Sequence, residues 1–144
     1  MAPHEGIRMN LFRFMVPKSM VETIRDDSTV RQALEKMRFH RYSALPVLDS
    51  EQRYVGTVRN DDLFRYFMER ECFDARFGEG VQVRDILTEA PIRPLRHTSS
   101  MQDVIEGVKE HNFVPVVDDR GCFIGIILRR EILSYLLQFY KESK

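Results

Sequence analysis

A chain of 144 residues is long enough to bury a core without help from metals or disulfides, and 43% hydrophobic with 31% charged residues is an ordinary globular balance. The 22 basic and 22 acidic side chains cancel, which excludes the strong global field of a general nucleic-acid or anionic-membrane binder and leaves only local patches. Cys72 and Cys122 make neither a disulfide framework nor a paired metal motif, and no run approaches the roughly 18 apolar residues of a membrane helix.

In chain order, residues 1–13 read as a polar tip and a short helix, with Met9 as a second candidate start and no apolar secretory core. Glu22-Thr23-Ile24 is extended. The cap-rich Asp27-Ser28-Thr29 then opens a helix whose Val30, Ala33, Leu34 and Met37 fall on one face. Two apolar runs follow, Leu45 to Leu48 and Tyr54 to Val58, joined by the polar turn Asp49 to Arg53; this is a hairpin pattern. A second helix carries Leu63, Phe64, Phe67 and Met68 as its apolar face. Residues 69–81 are a charge-rich linker, with Phe73 and Phe77 expected to pack on the module.

The second half runs the same way. Ile92 to Leu95 is extended, and Thr98-Ser99-Ser100 supplies caps, with Ser99 and Gln102 fitting a capping box. Met101, Val104, Ile105 and Val108 form the next helical face. Val114 to Val117 and Phe123 to Leu128 flank the turn Asp118 to Cys122, and the last helix carries Ile132, Leu133, Leu136, Leu137 and Tyr140 before a tail at 141–144.

One offset relates three separated landmarks. It carries Leu45-Pro46-Val47-Leu48-Asp49 onto Val114-Pro115-Val116-Val117-Asp118, Val55-Gly56 onto Ile124-Gly125, and Asp62-Leu63 onto Glu131-Ile132. This is an internal repeat. The step from helix to Pro-Val strand, Met37 to Leu45 against Val108 to Val114, is two residues shorter in the second half. The fold class is therefore α/β (α+β): two tandem β-α-β-β-α units over residues 14–68 and 82–140, related by pseudo-twofold symmetry, since one unit alone has too little apolar area to stand comfortably.

The Pro-Val-hydrophobic-Asp strand, the hydrophobic-Gly step and the acidic residue opening the last helix, duplicated in order, resemble the CBS domain, whose tandem pair is a Bateman module. Phe14-Met15-Val16-Pro17-Lys18-Ser19, Asn112-Phe113-Val114 and Arg129-Arg130 are also similar to the small stand-alone CBS-pair proteins of Gram-positive bacteria. The resemblance implies an adenine-nucleotide ligand (AMP, ADP, ATP or c-di-AMP) held in clefts between the repeats, with no other cofactor. It implies that main chain and apolar side chains near the Pro-Val strand sandwich adenine. An Asp opening the last helix would accept ribose hydroxyls, and a Ser or Thr three residues earlier, with basic groups, would meet phosphate.

Mapped onto this chain, the ribose carboxylate is Asp62 and the hydroxyl is replaced by Arg59. In the second repeat the same positions are Glu131 and Leu128, departures that foretell two sites of unequal quality; Arg129 and Arg130 remain phosphate candidates. Pro17, Lys18 and Ser19 are expected to line the first cleft, with Thr88 at the comparable place before the second repeat. Tyr42, Ser43, Ala44 and Pro46, and Asn112, Phe113, Val114 and Pro115, are expected to frame adenine.

His4, His40, His97 and His111 show no ligand spacing, no Gly-rich phosphate loop or nucleophile elbow is present, and the remaining carboxylate pairs read as turn and cap chemistry. Arg38, His40 and Arg41 are a local basic cluster that reads as solvated surface. The expected function is thus regulatory and not enzymatic: a cytoplasmic nucleotide sensor that signals to a separate protein partner by changing the angle between repeats or a dimer's geometry. A homodimer is expected through the helices Leu63 to Met68 and Ile132 to Tyr140. The alternative is a nucleotide-independent structural or protein-interaction module, favoured by Leu128 and Glu131. Nucleic-acid binding ranks below both, because zero net charge lacks the phosphate-neutralising excess.

Overall fold

The structure, a computed structural model, describes residues 10–70, 78–87 and 91–143. The chain divides into two compact units: Glu22–Ile92, and the stretch ending at Val21 together with Arg93 onward.

In the unit Glu22–Ile92, β2 (Ile24–Arg25) lies parallel to β3 (Ala44–Leu48), which pairs antiparallel with β4 (Tyr54–Arg59). Between them runs α1 (Val30–His40), and after them α2 (Asn60–Arg70). Thr29 starts α1 with a full capping box: its hydroxyl accepts from Gln32 N at 3.1 Å, and the Gln32 side chain accepts from Thr29 N at 2.9 Å. The helical face Val30, Ala33 and Met37 is buried, as the spacing predicts, in one cluster with Leu45, Val47, Val58, Leu63, Val83 and Ile86. Each of these Val, Leu, Ile and Met side chains gains roughly 1.5–3 kcal/mol over exposure. The α2 face divides. Leu63 is buried and Phe67 half-buried against the core, whereas Phe64 and Met68, about 100° further round the helix, are exposed.

In the other unit, a 3-10 turn at Leu11–Arg13 leads into β1 (Met15–Pro17), and a second follows at Lys18–Met20. The remaining elements are α3 (Met101–Glu110), β5 (Phe113–Val117), β6 (Phe123–Leu128) and α4 (Arg129–Glu142). The sheet order is β1-β6-β5, antiparallel throughout. Leu95 bridges parallel to Val116, the counterpart of β2. The α3 cap differs from the expected one. Ser100, not Ser99, is the N-cap, and its box closes with Asp103 rather than Gln102, because the helix begins one residue later. Ser99 instead accepts from Arg96 N.

Each hairpin also receives chain from ahead of the other repeat. β1 pairs with β6, setting Pro17 beside Gly125. Residues 81–87 belong to the first-repeat unit: Val30 N donates to Val81 O, Val83 N to Ser28 O, and Leu87 comes against Gly56. The hairpin turns repeat atom for atom. Asp49 Oδ1 accepts from Glu51 N and Arg53 N, and Asp118 Oδ1 from Arg120 N and Cys122 N, the Asx chemistry expected of turn carboxylates. The two extra residues after α1 are spent on a Schellman-type ending. Arg41 is left-handed (φ 58°), Arg41 N donates to Arg38 O, and Tyr42 N donates to Met37 O. Phe73 and Phe77 of the linker lie outside the described residues.

Candidate functional site

Directly opposed residues of an antiparallel pair share a face. In the β3–β4 hairpin Leu45 faces Val58, and both enter the helix-backed core; Ala44 faces Arg59 and Pro46 faces Thr57. Ala44, Pro46, Thr57 and Arg59 therefore make the opposite face of that sheet. Asn60 N donates to Ser43 O at 3.0 Å, which ties the start of β3 to the first residue of α2. The Tyr54 and Thr57 hydroxyls are 2.8 Å apart, and burial pushes the Tyr54 phenol above its ordinary 10.0.

Asp62 is the centre of this end of the hairpin. It is 2% exposed. Its Oδ2 accepts from Arg59 N at 2.8 Å and its Oδ1 from Arg65 Nη2 at 3.1 Å. Arg65 Nη2 also donates to Ile86 O at 3.3 Å. A carboxylate offers about four lone-pair directions, so these two bonds leave acceptor capacity. The adjoining helix N-terminus adds its partial positive charge. Tyr42 is exposed and stacks on His40 with ring centres 5.4 Å apart.

The second repeat builds the same frame with different side chains. Phe113 faces Leu128 and Pro115 faces Ile126, so the face that carries Thr57 and Arg59 in the first repeat carries Ile126 and Leu128 here. Val114 turns the other way, toward Gly107 of α3. Arg129 N donates to Asn112 O, matching Asn60 to Ser43. The Arg129 guanidinium is put to a use other than the expected one: Nε donates to Val108 O at 2.6 Å and Nη2 to Lys109 O at 3.4 Å, capping the last turn of α3. Glu131, at the Asp62 position, is half exposed and makes no cap; its Oε1 lies 3.9 Å from Nε of the exposed Arg130.

The structure thus gathers Ser43, Ala44, Pro46, Arg59 and Asp62 on one hairpin end, with Tyr42 adjoining. It places Asn112, Phe113, Pro115, Arg129, Arg130 and Glu131 at the equivalent end of the other hairpin. Pro17, Lys18 and Ser19 are exposed; Pro17 ends β1, and Lys18 and Ser19 follow it in the second-repeat unit. Thr88 lies outside the described residues. Two contributors escaped the sequence reading. Arg65 was legible as the i+3 neighbour of Asp62 on a helix, and Thr57 as the residue opposite Pro46 in the hairpin. Among the described residues no group of three or more His, Cys, Asp or Glu side chains could hold a metal, and no helix is long and apolar enough to cross a membrane.

Known proteins share this architecture. CBSX2, a chloroplastic CBS domain-containing protein of Arabidopsis thaliana, is 26% identical over 155 residues, covering 91% of this chain and 65% of its own length, so the chain spans about two thirds of that relative. A structure of CBSX2 in complex with AMP superposes with a TM-score of 0.73 at 25% identity, covering 92% of this chain and 99% of that one. The Listeria monocytogenes CbpB protein in complex with c-di-AMP gives a TM-score of 0.80 at 21% identity, covering 92% and 98%. A conserved hypothetical protein of Geobacillus kaustophilus gives 0.81 at 26% identity, covering 92% and 98%. The CBS-domain model matches twice, at residues 14–69 and 83–138. With both repeats matched and the strand-helix-strand units in place, the chain belongs to the CBS-domain family as a tandem pair.

Proposed function

We propose that this chain is a regulatory module that binds an adenine nucleotide, AMP, ADP, ATP or c-di-AMP, through its first repeat, and acts by binding and not by catalysis. The observation that carries the reading is Asp62, a buried carboxylate with acceptor capacity left at the mouth of a helix N-terminus. In this reading it accepts the ribose hydroxyls, Tyr42, Ser43, Ala44 and Pro46 frame the adenine, and Arg59 meets phosphate. Lys18 and Ser19 are further phosphate candidates, and Pro17 and Thr88 further contacts. CbpB with c-di-AMP and CBSX2 with AMP support the ligand class. The second repeat is the poorer half. Leu128 and Ile126 donate nothing, Arg129 is engaged with α3, and only Arg130 and Glu131 remain polar beside Asn112, Phe113, Val114 and Pro115.

Bound nucleotide would favour one arrangement of the chain that a separate cytoplasmic partner reads, which requires different affinities for the two arrangements. A homodimer fits the exposed apolar residues Leu133 and Leu137 of α4 and Phe64 and Met68 of α2. The same apolar second hairpin favours one other reading, a nucleotide-independent interaction module. Thermal melting against AMP, ADP, ATP and c-di-AMP separates the two. A ligand at about 100 times its Kd stabilises by roughly 2.7 kcal/mol; a shift with at least one adenylate is expected, and no shift at millimolar concentration selects the nucleotide-free module.

A further inference from the structure

The C-terminal end of α1 presents an aromatic and basic surface whose Phe39, Arg38 and Arg41 side chains the nucleotide reading does not use; only Tyr42, at its edge, is shared with that reading. Phe39 is 82% exposed. Its ring meets His40 edge-on at 4.9 Å, and His40 stacks on Tyr42 at 5.4 Å with an interplanar angle of 12°. Arg38 and Arg41 flank the rings, exposed and without an ion pair among the described residues. The nearby Glu22 is taken by Lys36 at 3.2 Å and faces His40 at 3.7 Å.

The second repeat is an internal control. There α3 passes to β5 through an extended His111 (φ −137°, ψ 146°) and Asn112, with no left-handed residue among the described residues of that connection. The connection from helix to Pro-Val strand therefore needs neither the two additional residues nor the strained Arg41.

We propose that this surface docks an acidic segment of a separate partner protein that also carries apolar side chains. This is the output face of the regulatory reading, and it rests on that reading for its signal. Aromatic and arginine side chains are the types that dominate protein-binding hot spots, and a cationic rim around an apolar centre selects an acidic rim around an apolar knob. A second copy of this chain fits poorly, because an isologous contact would bring the Arg38 and Arg41 clusters together. Single-stranded nucleic acid fits poorly as well: His40 and Tyr42 already stack on each other, which leaves few free ring faces for bases.

The test is selection of displayed random dodecapeptides on the whole chain, with Phe39→Ser as counter-selection. Selected peptides are then synthesised and titrated by fluorescence anisotropy. The expected result is enrichment of Asp or Glu together with Leu, Phe or Trp. Binding should weaken about tenfold or more in Phe39→Ser and in the Arg38→Ser/Arg41→Ser double variant, and should fall with added salt. Phe39→Ser should keep the wild-type melting curve and its nucleotide-induced shift, so failure of the docking surface and failure of nucleotide binding are read separately. Three results overturn the proposal: no Phe39-dependent peptide, a uridine dodecamer whose binding depends on Phe39, or loss of a homodimer in Phe39→Ser by sedimentation.

Discussion

Asp62 has a structural role that the geometry shows and, in the proposed reading, a recognition role as well. Its carboxylate secures Arg59 N, at the end of β4, and orients Arg65, which in turn reaches Ile86 O. Truncation to Ala strands a buried N–H and should cost about 1–3 kcal/mol. Asn is the informative substitution. It can still accept from Arg59 N but lacks the charge, so Asp62→Asn should melt close to wild type while binding nucleotide about tenfold more weakly or worse, measured by thermal melting and titration. Arg41 offers an opposite case. A side chain at φ 58° costs about 1 kcal/mol that glycine avoids, so Arg41→Gly should raise the urea midpoint without changing its slope. Asp103 gives a pH signature. Its carboxyl sits below its ordinary 3.8, held chiefly by the Ser100 N–H and then by the Ser100 hydroxyl. A carboxyl lowered on folding stabilises at pH above its unfolded value, and the contribution is lost as pH falls through the lowered folded one. Asp103→Ala should therefore melt below wild type at neutral pH, with the gap closing in strong acid.

At the scale of elements, local patterns were legible and pairings between distant segments were not. Helical spacing located α1 and α3, and the Pro-Val and hydrophobic-Gly runs located both hairpins to within a residue, because the apolar period alone fixes those faces. The β1–β6 pairing was invisible: a strand of three residues carries too little pattern to name its partner across the chain. The Arg129 cap was equally hidden, since a basic residue at a helix start looks like a phosphate ligand until the carbonyls of α3 come within reach. The apolar rows of α2 and α4 were read as single faces, whereas each divides into an inward part (Leu63, Ile132) and an exposed part (Phe64, Leu133). The entry-strand pairing predicts an asymmetry between equivalent glycines. A Cβ on Gly125 would run into the Val16 carbonyl and the Met15 side chain, whereas one on Gly56 meets only the end of Leu87 at 3.0 Å. Gly125→Ala should release β1, seen as faster amide exchange at Met15 and Val16, and Gly56→Ala should leave those amides protected.

At the scale of the whole molecule, two copies of one unit have kept a frame and parted in chemistry. Both hairpins tie strand to helix by the same backbone bond and turn on the same aspartate. Only the first carries Thr57 and Arg59 on the face away from its helix-backed core, with a buried Asp62 at the adjoining start of α2. Such divergence is what a one-nucleotide sensor would retain, the second copy supplying structure more than contacts. Isothermal titration of the full chain with AMP and with c-di-AMP, in wild type, Asp62→Asn and Glu131→Gln, tests this most directly. The account predicts no more than one nucleotide per chain, binding lost or sharply weakened in Asp62→Asn, and binding unchanged in Glu131→Gln. Binding indifferent to Asp62, binding that depends on Glu131, or no heat with either nucleotide would contradict it.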